Sequence, residues 1–187
     1  MELSGGTILV LVVILLIVIW VVWYVSLYNR IVKLKTTREN AWSDIDVQLR
    51  LRFDLVDNLV ETVKWYAKHE KETFKEVVEA RNKFATATDV KSKAEADNML
   101  TTSLKSLFAL SEAYPELKAN ENFLSLQSEL SDIENKIASA RRYFNAATRE
   151  YNTLTKQFPA NILFHKESKD YFEWLEEAKK APKVKFD

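Results

Sequence analysis

The chain has 187 residues, a length that suits one compact domain and a short additional segment. Its 27 basic and 27 acidic residues balance, so the overall charge argues against a nucleic-acid-binding protein. The absence of cysteine excludes disulfides, thiolate metal sites and cysteine nucleophiles. Only two glycines and three prolines occur, and both glycines precede residue 7, so long uninterrupted helices are expected.

The N-terminal part of the chain is strongly apolar. Residues 8–27 read ILVLVVILLIVIWVVWYVSL and include no charged side chain. A helix of this length extends about 30 Å, which matches the hydrocarbon core of a bilayer. The start lacks the basic residues and the small-residue cleavage site of a signal peptide, so we expect the segment to be retained. The predicted organisation is a tail over 1–7, a transmembrane anchor over 8–28 and a helical domain over 29–187.

The residues that flank the anchor predict its orientation. Four basic residues lie between positions 30 and 38, whereas no lysine or arginine precedes the anchor. Because basic residues favour the cytoplasmic side, we expect the N-terminus outside and the C-terminal domain in the cytoplasm. Aromatic side chains at the end of the anchor are expected at the level of the lipid headgroups. The predicted membrane-interface residues are Trp20, Trp23, Tyr24, Tyr28, Arg30 and Lys33.

Apolar residues spaced three and four apart predict long helices behind the anchor. The first is expected to continue from the anchor to about residue 83. The poorly periodic residues 85–98 predict the first turn, and a second helix is expected over about 94–117. A third helix should begin after Asn120 and stop at Pro159. A short C-terminal amphipathic helix is predicted over about 168–180, with Tyr171, Phe172, Trp174 and Leu175 packing back on the bundle.

The third helix carries the clearest periodic pattern. Its apolar residues follow a regular three-four spacing, as in a heptad repeat. These residues are Phe123, Leu126, Leu130, Ile133, Ile137, Ala140, Phe144, Ala147, Tyr151, Leu154 and Phe158. Since each helix has one apolar stripe to bury, the predicted fold is all-α: an antiparallel up-down bundle of long helices with coiled-coil-like packing and no β-sheet.

Motifs that would indicate an enzyme are missing. Neither His69 nor His165 has a glutamate three residues before it, and HEKET lacks the second histidine of a zinc-binding helix. Glycine-rich phosphate loops and nucleophile elbows are excluded by the position of the two glycines. We therefore predict no catalytic residue, no cofactor and no metal. A metal-dependent bundle enzyme using Asp54, Asp57, Glu61 and His69 is the less favoured alternative.

Residues 41–70 are unusual because charged and apolar side chains interleave in AWSDIDVQLRLRFDLVDNLVETVKWYAKHE. Opposite charges four residues apart can pair along one helix face, where they contribute only a few tenths of a kcal/mol per pair. The alternative is that these charges lie between subunits and fix register and partner choice. The candidate self-association residues are Arg50, Arg52, Asp54, Asp57 and Glu61.

Several segments carry a family resemblance. They are the anchor followed by YNRIVKLK, the 41–70 stretch, EVVEARNKF, SELSDIENKIASARRYFNAATREYNTLTKQFPAN and the closing APKVKF. With these segments the chain resembles the bacterial LemA family over nearly its whole length. The resemblance implies a single-pass protein of the bacterial inner membrane with an antiparallel helical-bundle domain and no assigned catalytic residue.

Two hypotheses of function follow. The first is a non-enzymatic, membrane-anchored structural or scaffold protein that contacts membrane lipid and self-associates as a homo-oligomer, in membrane organisation or envelope stress. The second is a membrane-tethered adaptor whose bundle docks a different membrane or signalling protein, which requires an open groove or charged patch. The oligomeric state of the full-length protein discriminates between them.

Overall fold

The computed structural model describes residues 5–164 and 168–172, and within them the protein is helical with no strand. The predicted all-α class is therefore confirmed. The helices are α1 (Gly5–Tyr66), α2 (Lys71–Thr86), α3 (Val90–Ser111), α4 (Pro115–Lys118), α5 (Glu121–Lys156) and α6 (Ala160–Leu163). The chain divides into two compact units. We call Met1–Asn40 with Ala147–Lys169 the anchor unit, and Ala41–Ala146 with Asp170–Asp187 the bundle unit.

The bundle unit is an up-down-up-down arrangement of four long helical segments, with the short α4 between α3 and α5. One apolar cluster joins the end of α1 to the start of α2, the end of α3 and the start of α5, through Val56, Leu59, Val63, Phe74, Val77, Leu104, Leu107, Phe123 and Leu130. A second cluster joins the opposite ends of the same segments, through Ala41, Ile45, Leu49, Phe84, Ala94, Ala96, Ile133, Ile137 and Phe144. Successive segments are therefore antiparallel, as predicted.

The long first helix is shorter than predicted. It continues from the anchor without a break at residue 28, but it ends at Tyr66 rather than near residue 83. Residues 67–70 form a turn closed by the hydrogen bond from the Glu70 amide to the Ala67 carbonyl (3.2 Å), and α2 then begins. The break lets the chain reverse, so that Phe74 and Val77 join the same core as Val63.

The predicted turn over 85–98 and the predicted helix over 94–117 are both displaced. Asp89 caps α3 by accepting the Ser92 amide (2.9 Å), and the Ser92 hydroxyl accepts the Asp89 amide (3.2 Å). This capping box satisfies amides at the helix start and brings it forward to Val90. The turn is reduced to residues 87–89. At its other end α3 stops at Ser111, and Pro115 begins the separate short α4.

Helix α5 follows the prediction closely. The Asn120 side chain accepts the Phe123 amide at 2.9 Å, and the helix ends three residues before Pro159. The apolar residues predicted along one side of this helix, from Phe123 to Phe158, are called the α5 seam, and most of them are buried. Leu126 and Ala140 are half-buried, and Phe158, which lies beyond the helix, is exposed.

The C-terminal prediction is partly corrected. Residues 168–172 are not helical, whereas Phe172 is buried and packs beside Trp42, with ring centroids 6.1 Å apart. Asn145 fixes its backbone by accepting the Phe172 amide (2.9 Å) and donating to its carbonyl (3.0 Å). The remainder of the predicted 168–180 helix, including Trp174 and Leu175, lies outside the described residues.

The anchor unit holds the first part of α1, the end of α5, and α6. Its small apolar core consists of Ile31, Tyr151, Leu154 and Ala160, with Leu27, Leu34 and Phe164 beside it. Arg38 donates through Nε to the Thr148 hydroxyl at 3.1 Å. Asn152 accepts the Lys169 amide (2.8 Å) and donates to its carbonyl (2.9 Å).

Candidate functional site

The apolar start of α1 is exposed in the anchor unit. In the described residues, α1 is the one helix whose length and composition suffice to cross a membrane, and no part of its apolar window is buried. Every side chain from Ile8 to Trp23 is exposed. So large a contiguous apolar surface is unusual on a protein surrounded by water. These observations indicate a membrane protein with one candidate spanning segment.

The predicted interface residues lie together at the C-terminal end of that segment. The rings of Trp20 and Tyr24 stack with centroids 5.8 Å apart. Phe164 brings a ring to within 6.1 Å of Tyr24 and 6.0 Å of Tyr28. Trp23, Arg30 and Lys33 are exposed on the same helix. Aromatic and basic side chains in this order suit a membrane–water boundary, although the boundary itself stays a prediction.

A cluster of mostly buried charged side chains lies inside the bundle unit. Arg52 of α1 donates through Nη1 to Oδ1 of Asp97 (2.7 Å) and to the Thr101 hydroxyl (3.0 Å). Arg141 of α5 donates to the other oxygen of Asp97. Arg52 also pairs with Glu134 Oε2 at 2.9 Å. We call Arg52, Asp97, Glu134 and Arg141 the ionic cluster.

The ionic cluster balances two arginines with two carboxylates and links three helices. Arg52, Asp97 and Arg141 are each at most 4% exposed, so water does not solvate their charges. Burial lowers the pKa of Arg141 from its ordinary value, while Asp97 and Glu134 oppose that shift. The guanidinium nevertheless stays protonated at neutral pH. Its planar group also lies 4.6 Å from the centre of the Phe172 ring, a cation–π distance.

The five candidate self-association residues are divided by the structure. Arg52 belongs to the buried ionic cluster, so it is not part of any exposed face. Arg50 is exposed and pairs with Asp46 of its own helix (2.9 Å). Asp57 pairs with Arg81 of α2 (2.6 Å). Asp54 and Glu61 are exposed on α1. The structure therefore leaves four of the five at the surface, and their role between subunits stays a prediction.

Asp54 and Glu61 lie on an exposed line along α1 that also contains large apolar side chains. Residues spaced four, three, four, three and four apart project from one side of a helix. The members are Val47, Leu51, Asp54, Asn58, Glu61 and Trp65. Trp65 is 73% exposed, and Val47 and Leu51 are each about half exposed. We call these six residues the outer line of α1.

An open groove of about 1170 Å³ lies at the end of the bundle unit where α1, α4 and α5 meet. Three aromatic residues, Trp65, Tyr66 and Tyr114, line it together with the carboxylates Glu61 and Glu116. Its other lining residues are Asn58, Thr62, Pro115, Asn120, Asn122, Ser125 and Leu126. We call it the aromatic groove.

The residues of the less favoured metal-enzyme hypothesis do not form a metal site. Over residues 5–164 and 168–172, no three histidine or acidic side chains come together in a way that could hold a metal ion. Asp57 is engaged with Arg81, and His69 is exposed in the turn before α2. His165 lies outside the described residues.

The ionic cluster, the α5 seam and the outer line all fall in a segment that matches a family model. That match, to the LemA family, covers residues 41–186, more than three quarters of the chain. The chain belongs to the LemA family. The resemblance seen in the sequence is thereby confirmed. The match begins at Ala41, the residue at which the bundle unit also begins.

Two named proteins are similar to this chain, and the first carries the family's name. Protein LemA of Metamycoplasma hominis is 25% identical over 144 residues, which cover 76% of this chain and 66% of that protein. Magnetosome protein MamQ of Magnetospirillum gryphiswaldense is 32% identical over 68 residues, which cover 36% of this chain and 25% of that protein. The chain thus covers just under two thirds of the length of that Protein LemA and a quarter of the length of MamQ.

Asp97, Glu134 and Arg141 were not predicted as partners of Arg52, and the aromatic groove was not predicted either. One signal for the cluster was present. Arg52 fills the gap between Leu49 and Val56 in the inward spacing of α1. Arg141 lies likewise between Ile137 and Phe144. An arginine at an inward position of a helix predicts a buried carboxylate beside it. Which acidic residue supplies that carboxylate depends on how the helices pack.

Proposed function

We propose that this LemA-family protein is a non-enzymatic, membrane-anchored scaffold whose copies associate side by side through the outer line of α1. The observation that carries the proposal is the exposure of Val47, Leu51 and Trp65 on a helix whose opposite side is already buried in the bundle unit. Exposed apolar side chains aligned along one helix suit contact with another protein surface.

Confinement to a membrane supports association of this kind. The exposed apolar segment before residue 28 would hold all copies in one layer. Tethering raises the effective concentration of one bundle unit around another, so that a modest contact suffices for assembly. We further propose that this layer is the bacterial inner membrane, with the bundle unit on the cytoplasmic side, because the basic flanking residues follow the apolar segment.

Charges beside the outer line would set which copies meet and in what register. Arg50 neighbours Leu51 and is paired with Asp46 at the surface. Asp54 and Glu61 stand between the apolar members of the line. Such charges contribute little to stability in water, but they select partners and orientation when a second surface approaches. A symmetric contact would repeat the same pairing in every copy.

The test compares Arg50→Glu with the unchanged full-length protein in a mild non-ionic detergent. Light scattering coupled to size-exclusion chromatography gives the protein mass of each particle. We expect oligomers for the unchanged protein and mostly monomers for Arg50→Glu, because reversal adds like-charge repulsion to the contact. Lys105→Glu is the matched control, since Lys105 is an exposed cation on α3. It should leave the mass unchanged.

Circular dichroism of the same samples separates loss of assembly from loss of folding. The exposed Arg50–Asp46 pair contributes at most about 1 kcal/mol, so helix content should be retained in Arg50→Glu. Two results would contradict association through this side of α1. One is a monomeric unchanged protein, and the other is an unchanged particle mass in Arg50→Glu.

A further inference from the structure

The aromatic groove combines features that recognise a cation. Trp65, Tyr66 and Tyr114 bring aromatic surface to one place, and Glu61 and Glu116 add two carboxylates. No lysine, arginine or histidine is among the described residues that line it. An ammonium or guanidinium group is attracted both to the face of an aromatic ring and to a carboxylate. Charge and ring chemistry therefore point to a positively charged ligand.

Hydrogen bonds within the bundle unit hold the groove in its shape. The Tyr66 hydroxyl accepts from the Asn120 side chain at 3.1 Å, and Asn120 is itself fixed as the cap of α5. The Tyr114 hydroxyl donates to Glu70 at 3.3 Å. Burial, with Glu70 beside it, raises the pKa of Tyr114 and so favours the protonated phenol that makes this hydrogen bond. Tyr66 and Tyr114, held in this way, lose little conformational entropy when the groove binds.

The size and lining of the groove favour a peptide over a single small cation. Its volume of about 1170 Å³ exceeds that of ordinary small-molecule pockets. Amide side chains of Asn58 and Asn122 line it and can bond to a peptide backbone. Pro115 and Leu126 add apolar surface for the residues that flank a cation. We propose that the aromatic groove docks an extended segment of another protein that carries lysine or arginine between apolar residues.

The experiment measures binding of a defined probe to the full-length protein in a non-ionic detergent. The probe is a fluorescein-labelled peptide of sequence Gly-Lys-Val-Lys-Pro-Lys-Gly with blocked termini, and the comparison peptide has glutamate at each lysine. Fluorescence anisotropy reports the dissociation constant. We expect saturable binding of the lysine peptide and none of the glutamate peptide.

Variants locate the site. Trp65→Ala and Glu116→Lys should each weaken binding about tenfold or more, the size expected for a desolvated cation–π contact or a reversed charge. Trp65→Phe keeps an aromatic face and should retain most of the affinity of the unchanged protein. Two matched controls change exposed residues outside the groove: Tyr143→Ala on α5 and Glu95→Lys on α3. Both should stay within about twofold of the unchanged protein.

Three results would overturn the proposal. The first is equal weakening by Glu116→Lys and Glu95→Lys, which would mean that the peptide senses only overall charge. The second is the absence of saturable binding. The third is a lower particle mass in Glu116→Lys, which would make the groove a contact between copies of this chain. The outer line and the aromatic groove share Asn58, Glu61 and Trp65, so a contact between copies at that end of the line would compete with the peptide. Binding of the peptide by the monomers expected of Arg50→Glu would show that docking does not need self-association, so the two proposals can fail separately.

Discussion

Asp97 is the central residue of the ionic cluster because each of its oxygens accepts from a different buried arginine. Removing two guanidinium groups from water is costly, and their attraction to carboxylates offsets that cost only when the geometry is good. Apolar residues of similar volume would often hold such a core as firmly. We therefore interpret the cluster as a device that fixes the register of α1, α3 and α5.

The first prediction is that Asp97→Asn destabilises the bundle unit by roughly 3 kcal/mol or more. The amide preserves shape but removes the charge that balances Arg52 and Arg141. Urea unfolding followed by circular dichroism measures the change. Asp132→Asn is the control, because Asp132 is an exposed partner of Lys136 and should change the free energy of unfolding by less than about 1 kcal/mol. Equal small effects of both substitutions would mean that the cluster does not hold the helices.

The second prediction concerns Asp46, which contacts both Lys93 and Arg50. Partial burial raises the pKa of Asp46, but the two cations outweigh burial and hold it below its ordinary value of 3.8. A carboxyl whose pKa is lower in the folded state stabilises that state above the unfolded pKa. This stabilisation is lost as the pH falls through the folded pKa.

Asp46→Asn should therefore lower the melting temperature at pH 7, and the difference from the unchanged protein should shrink below about pH 4. Thermal unfolding of both proteins from pH 7 to below pH 4 measures the difference in melting temperature at each pH. Lys93→Gln provides the control, because removing the cation should reduce the effect of Asp46→Asn at neutral pH. A difference in melting temperature that is the same at every pH would contradict the assigned cause.

Helix α5 contributes an inward residue to every part of the bundle core. Phe123 and Leu130 belong to one apolar cluster, and Ile133, Ile137 and Phe144 belong to the other. Its three-four spacing keeps these side chains on one side, while Asn120 and Pro159 set its limits. The helix therefore depends on burial along its length rather than on any single contact.

The third prediction is that Ile137→Ala costs about 2 to 5 kcal/mol, because Ile137 is fully buried and its truncation leaves a cavity. Leu130→Ala should behave in the same way. Gln127→Ala, at an exposed position of the same helix, is the control and should change stability by less than about 0.5 kcal/mol. An unchanged melting temperature in Ile137→Ala would contradict the burial of Ile137 and of the α5 seam.

Sequence predicted the helices of this fold better than it predicted their ends. The regular spacing of α5 left little choice of face, so most of its buried residues were identified correctly. The break at residues 67–70 was missed because neither glycine nor proline marks it. The start of α3 was missed because the capping box of Asp89 and Ser92 lies in a polar stretch that resembles a loop.

The candidate sites that depend on local spacing were predicted, whereas those that depend on helix packing were not. The prediction that one side of α1 is exposed was correct for Arg50, Asp54, Asp57 and Glu61, because local spacing determines which face of a helix residues share. Arg52 was grouped with them, although it fills an inward position. The aromatic groove could not be predicted, since Trp65 and Tyr114 are far apart in sequence and meet only when α1, α4 and α5 pack together.

At the scale of the whole molecule, one charge asymmetry predicts the side of the membrane on which the proposed scaffold would work. Arg30, Lys33, Lys35 and Arg38 follow the apolar segment, and no lysine or arginine precedes it. Moving these cations across a bilayer is unfavourable, so they are expected to stay on the cytoplasmic side. Self-association and peptide docking would then both take place in the cytoplasm.

The fourth prediction is that cysteines introduced at Ser4 and at Ser125 label oppositely in intact cells. The chain contains no cysteine of its own, so each variant reports one position. Ser125 is exposed on α5 and should accept a substitution without loss of folding. A membrane-impermeant maleimide should label Ser4→Cys in spheroplasts and Ser125→Cys only after the cells are lysed. Labelling of Ser125→Cys alone in intact spheroplasts would reverse the orientation and place the bundle unit, with its outer line and aromatic groove, outside the cytoplasm.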